Sequence, residues 1–255
     1  MKSFRTISGI ASLILFFAFV AGVKAQETFI TVRAKAKDAK FLGTSMGGAR
    51  IVIRNAGTGK ILAEGITEGG TGNTSKIMKQ AHERNKPISE EGTAAFTTSL
   101  ELEKPVFVTV EGYAPLNSKQ AAITSSTQLW LLPGKNITGD GIVLEFPGFV
   151  VDILSPQTHE AVSAAKPVEI KANIVMMCGC PITDGGIWNA NQYEIKAVIS
   201  SSGNQVKDIP LKVGEKSSTF FAETRLNSGV YEIMVYAFDP VTGNSGLAKT
   251  NVIVK

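Results

Sequence analysis

The sequence has few of the side chains that most often carry out chemistry. Its 255 residues include two cysteines, two histidines and two tryptophans. The two histidines, His82 and His159, stand in different halves of the chain and no Gly-x-Ser-x-Gly motif occurs, so a serine-type triad has little basis. The adjacent carboxylates Glu90 and Glu91 precede a glycine and are typical of a solvated loop. We therefore predict that the protein is not an enzyme.

Long apolar runs are also lacking, except at the N-terminus. Two basic residues precede the apolar segment 10–23, and Val23 and Ala25 are small residues at the positions that signal peptidase reads. We predict a signal peptide over residues 1–25 and a secreted protein, periplasmic or extracellular. Lys24 is unusual so close to a cleavage point, which leaves an uncleaved membrane anchor as the alternative. No later segment approaches the roughly 20 apolar residues that a membrane span needs.

Neither sign of charge dominates once the predicted leader is removed. The leader holds three of the 26 basic residues and none of the 22 acidic ones, so 23 and 22 remain. A net charge near +1 gives no electrostatic basis for binding nucleic acid. The mature chain is long enough for two modest cores.

The sequence is rich in short β-branched runs bounded by glycine, proline or asparagine. In two of these runs, 168–174 and 193–199, apolar and polar residues alternate strictly, which places one strand face on a core and the other in water. The predicted fold class is all-β, with two antiparallel β-sandwich domains. The other predicted strands include residues 29–34, 49–54, 106–110, 231–236 and 251–254.

A proline and a glycine mark a boundary between the two predicted domains. Pro147 and Gly148 precede a new apolar strand that starts at Phe149. The predicted domains are therefore 26–147 and 148–255. Because little disordered sequence lies between them, we expect two domains in fixed contact.

Several motifs of the first half have a family resemblance. The segments 48–54, 91–96 and 106–113, together with Thr67, are similar to the carboxypeptidase regulatory-like, transthyretin-type sandwich over about residues 28–114. The resemblance implies a β-sandwich and carries no catalytic residues to this chain.

The second half, residues 149–255, resembles bacterial immunoglobulin-like modules. The resemblance rests on the segments 153–156, 226–231 and 236–239, followed by Gly243 and Asn244. Both resemblances imply spacers, adhesive modules or accessory modules.

The first predicted domain contains a long insertion, residues 69–91. Its segment 74–84 has a hydroxyl residue at the start and a basic last turn, which predicts a short helix capped at Thr74. The glycines of 69–73 lack the order of a phosphate-binding loop, so a flexible lid on the sandwich is the preferred interpretation. Few anchors are visible in residues 69–90, and we expect that segment to be mobile and removable without unfolding the domain.

The two cysteines lie in a sulfur-rich stretch, where Met176, Met177, Cys178 and Cys180 place four sulfur atoms within five residues. Three states remain open for the cysteines: a disulfide, a metal site and free thiols. Gly179 supplies the backbone freedom that a disulfide across one residue needs. A disulfide here would also allow thiol–disulfide exchange with a partner.

If the stretch binds metal, thiolate and thioether ligands favour Cu(I), with Zn second. Strand alternation would direct Met176, Cys178 and Cys180 to one face, and His159 is the candidate fourth ligand. A zinc site would need four ligands, and only His159, His82, Asp184 or Met177 are available to complete it.

The residues after the cysteines form a long, turn-rich loop, 181–191. Asp184, Trp188 and Asn191 are candidate ligand-binding residues there, because an exposed tryptophan beside polar groups stacks on a sugar or a peptide. The alternative, which we prefer, is that Trp188 plugs the end of a sandwich core. Trp130 lies in an apolar strand and is predicted to be core.

These observations predict a secreted or periplasmic, non-catalytic binding or accessory module with a candidate soft-metal site at the Cys-Gly-Cys loop. The alternatives are a copper carrier, a thiol–disulfide exchange partner and a structural spacer in a cell-envelope assembly. The expected partner is an envelope protein or a glycan. Nucleic acid is not expected, and a membrane would be contacted only through an uncleaved leader.

Overall fold

The structure, a computed structural model, describes residues 24–255, and the predicted signal peptide lies outside this range except for Lys24 and Ala25. The strands before Pro147 are β1 (Gln26–Ala36), β2 (Arg50–Asn55), β3 (Ile61–Ile66), β4 (Phe96–Leu102), β5 (Val106–Ala114), β6 (Ile123–Leu131) and β7 (Ile137–Phe146). Those after it are β8 (Phe149–Ser155), β9 (Glu160–Val162), β10 (Val168–Met176), β11 (Glu194–Ser201), β12 (Asn204–Pro210), β13 (Lys212–Val213), β14 (Thr219–Thr224), β15 (Gly229–Phe238) and β16 (Ser245–Val254). Short 3-10 turns span Thr44–Met46, Lys119–Ala121 and Ala190–Gln192.

The strands form two β-sandwiches, as the alternation of the sequence predicts. The first sandwich pairs a sheet of order β4-β1-β7 with a sheet of order β3-β2-β5-β6. The second pairs a sheet of order β13-β14-β10-β8 with a sheet of order β12-β11-β15-β16-β9. Every sheet is therefore built either from strands before Pro147 or from strands after it.

Most neighbouring strands are antiparallel, but two pairs are parallel. Strand β1 pairs with β7 in parallel, and the short β9 pairs with β16 in parallel. Parallel neighbours need a long connection, and β1 and β7 are separated by the whole remainder of the first sandwich.

Strand β10 shows why the sequence folds in this way. Its alternate residues from Val168 to Met176 are buried, while the residues between them are partly or fully exposed. A strand with this pattern covers a core with one face only. The buried apolar side chains form one contiguous cluster that runs through both sandwiches.

The helix in the insertion is shorter than predicted and is capped by a different residue. Helix α1 spans Thr74–Met78, and the side chain of Asn73, rather than the hydroxyl of Thr74, accepts hydrogen bonds from the first-turn amides. The amide of Gly69 already donates to Thr44 Oγ1 and that of Gly70 to the Gly92 carbonyl oxygen. Both glycine amides are therefore already hydrogen-bonded within the protein, one to the 3-10 turn after β1 and one across the base of the insertion.

The insertion is anchored to the sandwich by buried side chains. Ile77 is buried in the first domain. Arg33 of β1 is buried and donates to the carbonyl oxygens of Thr93 and Ala94, at 2.5 and 2.9 Å. The carboxylate of Asp140 accepts hydrogen bonds from the amides of Ile88 and Ser89, both at 2.8 Å. The interpretation as a lid with few anchors therefore misses the burial of Ile77, the hydrogen bonds to Asp140 near the end of the segment and those of Arg33 just after it.

No helix within residues 24–255 has the length and apolar character to cross a membrane.

Candidate functional site

The two cysteines are joined by a disulfide in a tight turn at the end of β10. The Cα atoms of Cys178 and Cys180 are 5.4 Å apart, within the range that disulfides span. Gly179 adopts a left-handed conformation, with φ of +76°, and its amide donates to the Met176 carbonyl oxygen at 2.7 Å. Of the three states that the sequence leaves open, the structure has the disulfide.

The cysteine loop is buried rather than exposed. Cys178 and Cys180 expose 1% and 4% of their surface, and Met176 and Met177 are buried beside them. The hydroxyl of Tyr193 contacts Met176 Sδ at 3.9 Å. All four sulfurs of the stretch are therefore shielded from solvent, although alternation predicts Met177 on the opposite face from the other three.

The loop lies against the first sandwich. A Cβ atom built on Gly179 would be 2.6 Å from Sδ of Met46, in the 3-10 turn after β1. The left-handed backbone and this close approach together favour glycine at position 179. Met46 is thus a fifth sulfur residue at the site, and its distance along the chain kept sequence reasoning from finding it.

Three further contacts join the two sandwiches near this loop. Asn244, fully buried, accepts from the amide of Gly148 at 3.0 Å and donates to the Lys37 carbonyl oxygen at 3.1 Å. The indole N–H of Trp188 donates to the Asp38 carbonyl oxygen at 2.9 Å. Lys37 Nζ donates to the Thr242 carbonyl oxygen at 2.7 Å. We call this set of contacts, with the cysteine loop, the junction.

The ligand-binding candidates of the loop 181–191 divide between the junction and the surface. Trp188 is only 6% exposed, and it plugs the space between the two sandwiches. Asp184 and Asn191 are near each other, with Asn191 Nδ2 donating to Asp184 Oδ1 at 2.5 Å. The structure therefore brings Asp184 and Asn191 together and uses Trp188 for packing.

His159 is remote from the sulfur stretch. Its amide donates to the Asn251 carbonyl oxygen at 2.8 Å, and Asn251 lies six residues along β16 from Ser245. Ser245 lines the same groove as Met177, so His159 is about 20 Å from that end of the strand at ~3.4 Å per residue. The structure thus does not bring His159 to the cysteines. Within residues 24–255, no three His, Cys, Asp or Glu side chains form a cluster that could hold a metal ion.

Charged groups surround the junction. Burial, then the charges of Asp239 and Asp38, raises the pKa of Tyr193 to about 12. Burial, followed by the charge of Asp239, also raises the pKa of Asp38, against the opposing charge of Lys35. Burial lowers the pKa of Lys35. Burial therefore disfavours charge of either sign at this interface.

A groove opens beside the junction, with a volume of about 410 Å³. The residues that line it include Met177, Gln120, Tyr236, Phe238 and Leu247. Its volume is within the range of small-ligand sites, and such sites often lie between domains. Within the sulfur-rich stretch, Met177 is the residue that borders this groove.

Trp130 is exposed, so the prediction that it is a core residue is wrong. Trp130 was predicted to be core, but it is 60% exposed on the outer face of β6, where its ring lies 5.1 Å from that of Phe107. Leu131 beside it is fully buried and Leu129 is partly buried. The alternation of Leu129, Trp130 and Leu131 is the signal that identifies the outward position.

No known protein family matches this sequence. No curated protein matches it either. The similar solved structures include the fibronectin(III)-like modules of Clostridium thermocellum CbhA, at 10% identity and a TM-score of 0.30, covering 90% of this chain and 94% of that one. Another is a three-domain immunoglobulin structure of titin, an E-to-A mutated variant, at 15% identity and a TM-score of 0.26, covering 91% of this chain and 66% of that one.

A third similar structure is an engineered protein, at 17% identity and a TM-score of 0.33, covering 49% of this chain. The matched part spans 24% of that protein's length. At these scores the comparisons add no argument about function, and the assignment to β-sandwiches rests on the strand pairing of this chain. The resemblance of the first half to the transthyretin-type sandwich stays a prediction.

Proposed function

We propose that this chain is an exported, non-catalytic binding or accessory module whose two sandwiches act as one rigid unit. Export is inferred from the N-terminal sequence, and rigidity from the junction. A unit of this kind holds a binding surface at a fixed distance and angle from its partner in the cell envelope. A structural spacer is the same device without a ligand of its own.

The observation that carries the proposal is the position of Asn244. Its side chain is fully buried and makes one hydrogen bond to each sandwich, to Gly148 and to Lys37. A buried amide satisfied on both sides fixes the relative position of the two groups that it joins. A flexible pair of domains would leave such an amide in water.

The test is Asn244→Ala compared with Asn204→Ala, which removes an exposed asparagine of the same sandwich. The alanine at 244 leaves the buried Gly148 amide without a partner, at a cost of about 1–3 kcal/mol, and removes the hydrogen bond to the half-buried Lys37. Wild type and Asn204→Ala are expected to unfold in one thermal transition. Asn244→Ala is expected to unfold in two, with a larger radius of gyration by small-angle X-ray scattering. A single transition and an unchanged radius for Asn244→Ala would show that the sandwiches are not held by this contact.

A second candidate function is soft-metal binding by the reduced protein. The observation that favours it is Met46, which adds a thioether to the four sulfurs predicted from the sequence. Reduction of the disulfide by an added dithiol would give two thiols, and thiolate with thioether ligands selects Cu(I) over Zn. The groove beside Met177 offers a route for the ion. Thiol exchange with a partner protein would begin from the same reduced loop.

Copper binding is tested on anaerobically reduced protein by competition with a chromophoric Cu(I) chelator. We expect reduced wild type to bind about one Cu(I) per chain. The Cys178→Ser/Cys180→Ser double variant should lose binding, and Met46→Leu should bind at least about tenfold more weakly, because both variants remove ligands of the ion. Met234→Leu, a methionine of β15, is the control. Equal binding by wild type and the double variant would end the copper proposal and leave the rigid module standing.

A further inference from the structure

The outer face of the sheet β3-β2-β5-β6 carries an aromatic pair that the junction does not use. Antiparallel pairing sets Phe107 of β5 opposite Trp130 of β6, and Thr109 opposite Gln128. Tyr113, 39% exposed, lies further along the same face of β5. We call these five residues the aromatic face.

We propose that the aromatic face binds a neutral polysaccharide, with Trp130 and Phe107 as the platform for one sugar ring. The inference supplies a ligand class for the binding module proposed above, and it does not depend on how the two sandwiches are joined.

The platform has the geometry of a stacking site. The ring centroids of Trp130 and Phe107 are 5.1 Å apart with their planes tilted by 42°, so Phe107 supports the indole ring from one side. The indole remains 60% exposed, so its face is available for contact with a ligand. Exposed tryptophan is costly to leave in water and contributes a large contact area when covered.

The side chains next to the platform on its own two strands, Thr109 and Gln128, are polar and neutral, and Arg54 of β2 lies opposite Thr109. Gln128 Nε2 donates to Thr109 Oγ1 at 2.9 Å, which orients the amide and leaves its other N–H and its carbonyl oxygen for a ligand. A sugar ring presents C–H groups on its face and hydroxyls around its edge. Indole and amide placed side by side match that arrangement, because the face packs on the ring while the edge hydrogen-bonds to Gln128.

Charge and area disfavour other classes of partner. The charged side chains of this face comprise two arginines and two glutamates, Arg50, Arg54, Glu64 and Glu111. Arg50 pairs with Glu64 at 2.9 Å. The charges of the face therefore balance and offer little attraction to an anionic polymer. A stable protein interface buries about 800 Å² on each partner around an apolar centre. Two rings bordered by hydroxyl and amide groups form a smaller and more polar surface.

The length of the face favours a polymer over a single sugar. Tyr113 is six residues along β5 from Phe107, about 20 Å at ~3.4 Å per residue. Hydroxyl, amide and carboxylate side chains lie between the two aromatic ends. A linear chain of several sugar rings would contact both ends.

The test is affinity electrophoresis of the mature protein in gels that contain hydroxyethylcellulose, xylan, a β-1,3-glucan or amylose. Wild type is expected to be retarded by at least one of them. Trp130→Ala is expected to weaken that retardation at least about tenfold and Phe107→Ala less. Phe221→Ala, which removes a partly exposed phenylalanine of the other sandwich, is expected to migrate as wild type does.

A fluorescence titration with an oligosaccharide of the retarding polymer gives an independent reading. The sugar should change the emission of wild type and leave that of Trp130→Phe unchanged, because Trp188 is buried at the junction. No retardation of wild type in any gel, or equal retardation of wild type and Trp130→Ala, would overturn the proposal. A shift in oligomeric state for Trp130→Ala without loss of a sugar response would instead identify the face as a contact between copies. None of these outcomes changes the expectation for Asn244→Ala.

Discussion

At the scale of single residues, Trp130 has the reverse of the role that its apolar sequence context predicts, whereas Trp188 is buried, as its preferred interpretation predicts. Trp130 lies among leucines and is exposed, whereas Trp188 lies among polar residues and is buried. The apolar context of Trp130 comes from inward-facing neighbours. Trp188 is buried where its indole N–H donates to the backbone carbonyl oxygen of Asp38, which is 150 residues away in the sequence. Burial of an individual side chain follows from its direction and its distant partners.

Tyr193 leads to a prediction about pH. Its pKa is raised to about 12 by burial and by the charges of Asp239 and Asp38, against about 10 in the unfolded chain. The native protein therefore holds the phenolic proton more tightly. The stabilisation is complete below pH ~10 and is lost as the pH rises towards 12. We expect the urea midpoint of wild type to fall more steeply than that of Tyr193→Phe over this interval.

The same two proteins provide the control at pH 8. Tyrosine and phenylalanine differ there only by a hydroxyl that contacts Met176 Sδ, so their midpoints should be close. If the urea midpoints of the two proteins fell in parallel from pH 8 to 12, ionisation of Tyr193 would not be coupled to folding.

At the scale of elements, the insertion 69–91 is the part that sequence reasoning described least well. The composition indicates a flexible lid, and composition contains no sign of Arg33 or Asp140, which lie on other strands. Burial alone would raise the pKa of Asp140. Hydrogen bonds from Ser89 and Ile88, with the charge of Arg33, outweigh burial and hold the pKa below its ordinary value. The anchors of the segment are therefore hydrogen bonds between backbone groups and charged side chains that are distant in sequence.

Removing one anchor should loosen the insertion without unfolding the sandwich. Asp140→Ala removes the acceptor of two amide hydrogen bonds, each worth about 1 kcal/mol. We expect trypsin to cleave after Arg84 at least about tenfold faster than in wild type, because local opening becomes more frequent. Asp208→Ala, a change on the exposed strand β12, should leave the rate as it is. Equal rates for the two variants would show that Asp140 does not hold the insertion.

At the scale of the whole molecule, the two sandwiches share a continuous apolar cluster and a set of polar contacts. Each sheet belongs to one sandwich, so the joining contacts come from turns and loops. Loops commonly carry the binding residues of a sandwich. Here the cysteine loop and the loop 181–191 are used to hold the sandwiches together, and an exposed sheet face is left for a ligand.

The sequence by itself determined the strands, the all-β class and the position of the turn-rich break near Pro147. These follow from alternation and from glycine and proline, which act within a few residues. It also located the cysteine loop and left three states open for it. The outward direction of Trp130 follows from strand alternation, whereas only the tertiary contacts place the cysteine loop against Met46 and keep His159 remote from it. Such outcomes depend on which surfaces meet after folding, and no local pattern encodes a contact between residues more than a hundred positions apart.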